Sequence, residues 1–139
     1  MFNTVMVPVD LAHADKLDRA LSCAADLAQL YKARVVYVGV SAAVPGAVAR
    51  TPEEFAAKLD AFANEQARLR GIEATAHAVT SHDPATDLDP ALLDAVKDTG
   101  ADLVVMASHI PNVTDYIWPS NGGSLATHAK VSVLIVRGG

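Results

Sequence analysis

The stretch Asp102-Leu-Val-Val-Met-Ala107, running into Ser108-His109-Ile110-Pro111-Asn112, decides the fold class. Its apolar run has no polar alternation, which predicts a strand covered on both faces, the habit of parallel sheets flanked by helices. A polar, glycine-containing turn follows, Pro119-Ser120-Asn121-Gly122-Gly123-Ser124, then a short helical segment and a last apolar strand, Ser132-Val-Leu-Ile-Val136. A strand that feeds a loop opening a helix is where many α/β proteins hold phosphate. The helix N-terminus offers unpaired N–H groups and the positive end of its dipole.

Upstream, Val5-Met-Val-Pro-Val-Asp10 reads as a strand closed by Asp10, with Pro8 near its end because proline cannot donate to a ladder. Leu17, Ala20, Leu21, Ala24, Leu27 and Ala28 recur at helical spacing and predict a helix from about Ala14 to Tyr31. Val35-Val-Tyr-Val-Gly-Val40 is a second continuous apolar strand. Residues 41–50 form a loop of small residues. Thr51 then fits an N-cap, Pro52 the first helical position and Glu54 the reciprocal carboxylate of a capping box. Gly71 is the expected stop of that helix. Ile72 to Thr80 alternates weakly and reads as an edge strand. His82-Asp83-Pro84 reads as a turn, and Asp89-Pro90 as the start of a third helix that Gly100 ends.

The order βαβαβαβαβ implies a mostly parallel sheet with right-handed crossovers. The expectation is one α/β domain over residues 1–139, a five-stranded doubly wound fold with strand order 3-2-1-4-5 and helices on both faces. Ligands in such sheets bind beyond the carboxyl ends of the strands where the order reverses, here between strands 1 and 4. Pro8, Val9 and Asp10 close strand 1, and Ala107, Ser108 and His109 close strand 4. Gly39 and Val40, ending strand 2, border the same crevice.

Composition narrows the function classes. With 139 residues, 51% of them hydrophobic, and mean hydropathy +0.23, the chain can bury a core and is not of the disordered class. Its net charge of −5 argues against a nucleic-acid surface, which needs clustered Lys and Arg. The apolar runs are strand-sized, too short to span a bilayer. Cys23 is the single cysteine, so no internal disulfide forms, and the expected setting is a reducing one. Met1-Phe2-Asn3-Thr4 lacks the basic and apolar regions of a signal peptide, so a cytoplasmic protein is expected.

Val7-Pro8-Val9-Asp10, the strand end Val38-Gly39-Val40, Ala101-Asp102-Leu-Val-Val-Met-Ala-Ser-His109 and the tail Thr127-His128-Ala129-Lys130-Val-Ser-Val-Leu-Ile-Val-Arg137 lie in one order over nearly the whole chain. Together they resemble the universal stress protein family. Ser108-His109-x-Pro111 with Asp115-Tyr116-x-x-Pro119-Ser120-Asn121 looks most like its F/G-type subgroup. The resemblance implies a stress-response regulatory protein, a cytoplasmic homodimer paired through strand 5 (Ser132 to Arg137), binding ATP or AMP, with Mg²⁺ as a companion of the phosphates.

Nucleotide-binding members carry a phosphate loop of Gly, two residues, Gly, nine residues, then Gly-Ser/Thr. Here Ala107 and Ile110 stand at the first two glycines, Pro119-Ser120 stands for Gly-Ser, and the spacer is one residue short. Glycine admits positive φ and close phosphate approach, and proline removes an N–H donor. No Lys or Arg lies from Leu103 to Ala129, so a phosphate would rest on backbone N–H groups, Ser120, Ser124, His109 and a metal ion. The changes weigh against a triphosphate and leave room for adenosine or a monophosphate.

Each candidate residue also has a plainer role. Asp10 either faces the ligand or caps the first helix. Ser108 and His109 either line a phosphate pocket or satisfy loop backbone. Ser120 binds phosphate, caps the last helix, or both. Asn121 and Gly122 belong to the same candidate phosphate turn. His13, His77, His82 and His128 show no metal-ligand spacing and read as surface or cap residues. No P-loop lysine, nucleophile elbow, catalytic triad or metal cluster is legible. The favoured function is an adenine-nucleotide-binding regulator without catalytic residues. The alternatives are a dimeric interaction protein with a degenerate pocket, or a slow ATPase.

Overall fold

Thr4–Pro8 forms β1, and all five residues are buried. Arg34–Ala42 forms β2, whose Val35 to Val40 are buried. The two pair in parallel, from Thr4 opposite Arg34 to Pro8 opposite Val38. The computed structural model describes residues 1–46, 48–82, 84–108 and 121–137, and for 84–89 and 121–124 the backbone alone.

The remaining elements are α1 (Asp18–Tyr31), α2 (Pro52–Arg70), β3 (Ala74–Ser81), α3 (Pro84–Thr99), β4 (Leu103–Ala107), α4 (Asn121–His128) and β5 (Ser132–Val136). The sheet is parallel with order β3-β2-β1-β4-β5, as expected. Its core gathers Met6, Tyr37, Leu59, Leu92, Met106 and Leu125, each almost fully buried. Among the described residues no helix is long and apolar enough to cross a membrane.

Helix ends follow local chemistry. Thr51 Oγ1 accepts from the Glu54 N–H at 3.0 Å and Pro52 opens α2. The Glu54 carboxylate misses its expected reciprocal bond and takes the Arg50 N–H instead, at 3.4 Å. Gly71 closes α2 in the left-handed region, φ +63°, with its N–H on the Ala67 carbonyl. That backbone geometry is open to glycine and strained for most other residues.

Four expectations need correction. The first helix does not start near Ala14. Leu11–Lys16 forms a 3₁₀ segment, and α1 begins at Asp18. Short-range bonds from His13 N to Asp10 O and from Leu17 N to Ala14 O tighten these turns, and the pattern of apolar spacing cannot distinguish them from a helix. The third helix starts at Pro84 rather than Asp89-Pro90, leaving Pro90 inside it. Pro84 takes the first-turn position where a missing N–H costs nothing. Pro90 is exposed and has no N–H to give to the carbonyl four residues back. β2 runs to Ala42, two residues past its expected end, because β3 keeps pairing with it at Ser41–Thr80 and Ala42–Ser81. Asn121 to Ser124 belong to α4 and not to a preceding turn.

Candidate functional site

β1 and β2 end at different heights. β1 stops opposite Val38, where Val9 N still donates to Val38 O at 2.8 Å. β2 continues to Ala42 with only β3 beside it. That stagger leaves a notch above the carboxyl end of β1. A cleft of about 270 Å³ fills it, walled by Val9 to His13 on one side and by Val40 to Ala42 on the other. Val44, Val48, Thr51 and Phe55, from the β2–α2 connection and the start of α2, complete the wall.

Asp10 is the polar centre of this cleft. It is 8% exposed. Its Oδ1 accepts from the Ala12 N–H at 3.1 Å and its Oδ2 lies 2.9 Å from His13 Nδ1. The carboxylate therefore caps the 3₁₀ segment and lines the cleft at the same time, so the two roles read for it from the sequence coexist. His13 sits three residues on, at a kink in the 3₁₀ segment (φ −127°, ψ 27°), and its charged form makes an ion pair with Asp10.

The β2–α2 connection is tied down from both ends. Ala43 N bonds Ser81 O at 3.2 Å, and Gly46 N bonds Ala49 O at 2.9 Å. Lys58 on α2 donates from Nζ to the Val48 carbonyl and pairs with Glu54 at 3.4 Å. Glu54 in turn holds the Arg50 N–H. The rim is thus fastened to the first two turns of α2.

The predicted residues fall into three groups. Val9, Asp10 and Val40 line the cleft, with Pro8 buried at the end of β1 just beneath. Gly39 packs under α2: a Cβ there would meet Phe55 Cζ at 2.8 Å and Leu59 Cδ2 at 3.2 Å. It supports the cleft wall without lining it. Ala107 ends β4, and Ser108 N donates to Val136 O at 2.9 Å, toward β5. Neither borders the cleft. β1 and β4 are direct neighbours, with Val5 opposite Leu103 and Met6 opposite Val104, so no strand separates Asp10 from Ala107. His109 and Ser120 lie outside the described residues, as do Ile110 and Pro119, and Asn121 and Gly122 are described only as the backbone that opens α4.

His13, Ser41 and Phe55 are cleft residues that the sequence pattern did not point to. His13 carried a faint signal, three residues after the strand-closing aspartate. Ser41 was hidden in a segment read as loop, and Phe55 in an ordinary helical stripe. Among the described residues no group of three or more His, Cys, Asp or Glu side chains could hold a metal ion.

This strand order, with an aspartate closing β1 over a cleft, accompanies a match to a sequence model of the universal stress protein family over residues 1–137. The chain belongs to the universal stress protein family. The curated universal stress protein G of Salmonella typhimurium is 28% identical over 151 residues, covering 99% of this chain and all of that one. Among solved structures, a universal stress protein in complex with cAMP superposes with a TM-score of 0.70 at 20% identity, covering 99% of both chains. The universal stress protein of Archaeoglobus fulgidus in complex with dAMP gives 0.65 at 21% identity, covering 96% of both. At these identities the structural likeness establishes the family fold.

Proposed function

We propose that the protein is a stress-response regulator that binds an adenine nucleotide in the cleft above β1 and β2. The observation that carries this reading is Asp10. A carboxylate that is nearly buried, oriented by the Ala12 N–H and His13, and set among apolar walls is a ready acceptor for sugar hydroxyls or a base amine. The relatives solved with cAMP and dAMP bind adenine nucleotides on the same fold, which supports the choice of ligand. The described cleft, about 270 Å³, is at the small end for ligand pockets and suits a nucleoside better than a full triphosphate. The described walls hold one basic side chain, His13, so AMP is preferred over ATP. Mg²⁺ enters only as the counter-ion of a polyphosphate. The protein acts as a binding module and not as a catalyst.

The module works as a homodimer through β5. This strand is a sheet edge with β4 on one side, and Leu134 on it is 38% exposed. An apolar edge without charge or proline invites a second chain.

Thermal unfolding with AMP, ADP and ATP, with and without Mg²⁺, tests the binding. A saturable rise in midpoint, largest for AMP, is the expected result. No rise with any nucleotide would leave a dimeric interaction protein with a degenerate pocket as the better account. Release of phosphate from ATP well above background would make it an ATPase.

A further inference from the structure

Among the described residues of the cleft, Ser41 is the one whose hydroxyl has no partner. Its Oγ is buried and has no hydrogen-bond partner among the described residues. The other polar side chains of the wall differ: Thr51 Oγ1 accepts from the Glu54 N–H, and the Asp10 carboxylate has two partners. Serine could have been alanine here without loss to the fold, since a buried hydroxyl that bonds nothing weakens the protein it sits in. Such a group calls for an explanation, and at the wall of a cleft a bound molecule can supply the missing partner.

We infer that Ser41 is a specificity residue of this cleft, and that its hydroxyl bonds the polar edge of the bound base. The inference rests on the adenine-nucleotide reading given above. Three observations place the contact at the base. Ser41 lies on the extension of β2 beyond β1, in the half of the cleft walled by Val40, Val44 and Phe55. That apolar half suits a flat heteroaromatic ring, whereas Asp10 and His13 make the opposite half the polar one. A hydroxyl is one donor and two acceptors, so it can meet either an amine or a ring nitrogen on the base edge. No bond holds the hydroxyl in its present orientation, so rotation about χ1 into the cleft breaks nothing.

Titration calorimetry of the full chain with adenosine, AMP and ATP, comparing wild type with Ser41→Ala, tests this. The expected result is a loss of about tenfold in affinity, by the same factor for all three ligands, because the contact is to the part they share. The unliganded variant should melt no lower than wild type. Equal affinities in wild type and variant would overturn the inference while leaving the nucleotide reading intact. So would a loss that grows with the number of phosphates, or a lower melting point of the unliganded variant, which would make the hydroxyl structural. Wild type that binds none of the three would overturn the nucleotide reading and this inference with it.

Discussion

Phe55 rests on the bare backbone of Gly39: a Cβ at position 39 would lie 2.8 Å from the ring's Cζ and 2.9 Å from its Cε1. Side-chain atoms do not approach that closely, so the glycine is what lets α2 seat its first buried aromatic against β2. The same ring forms part of the cleft wall. One missing side chain in a strand therefore sets the distance between a helix and the site it shelters.

Gly39→Ala should destabilise the protein by about 1–3 kcal/mol through overpacking, measured by urea unfolding. Adding Phe55→Leu should recover part of that loss, because the branched side chain vacates the space the new methyl needs. The double variant should lose less than the sum of the two singles. Strict additivity would show that the ring does not constrain position 39.

Asp10 separates its two roles by substitution. Asp10→Asn keeps a good cap for the Ala12 N–H and removes the charge beside His13. Its stability should stay near that of wild type, while the AMP-induced rise in melting point shrinks. Asp10→Ala removes the cap as well and should cost about 1 kcal/mol. A full AMP response in Asp10→Asn would show that the carboxylate charge plays no part in binding.

Tyr37 gives a signature at high pH. Burial pushes its phenol up to about 12 from the ordinary 10, against a smaller opposing pull from Arg70. Its hydroxyl is buried without a hydrogen-bond partner among the described residues. The neutral phenol is favoured in the folded state. The stability this contributes is therefore complete below pH 10 and is lost as pH rises from 10 toward 12, where the unfolded chain releases the proton first. Tyr37→Phe should be close to neutral at pH 7 and should lose less stability than wild type between pH 10 and 12. Parallel stability curves for the two proteins over that range would contradict this.

Leu134 tests the proposed dimer. It is the exposed large apolar side chain of β5. Leu134→Lys places a charge on that edge, which blunts strand pairing. Sedimentation should give twice the chain mass for wild type and the single chain mass for the variant. A wild-type monomer at micromolar concentration would refute pairing through β5.

Legibility from sequence followed the range of the interactions. Thr51, Pro52 and Gly71 announced both ends of α2, because caps depend on bonds within three or four residues. Pro90 misled, because proline at a helix start and proline tolerated on an exposed helix face leave the same mark. The apolar strands identified themselves, since burial on both faces removes any alternation.

The sequence alone settled the order of elements, the parallel sheet with its 3-2-1-4-5 arrangement, the membership in a family, and the placing of Asp10 at the end of β1. These depend on local periodicity, on cap and turn chemistry, and on the fixed hand of strand–helix–strand crossovers. The tertiary structure decided the rest: the stagger of β1 against β2 that opens the cleft, the seat of Phe55 on Gly39, the turn of His13 onto Asp10, and the unpartnered hydroxyl of Ser41. Most of these are relations between segments distant along the chain. Even the short step from Asp10 to His13 depends on a 3₁₀ geometry that apolar spacing does not encode. Strand register and close packing create them, and neither is written in any single stretch of residues.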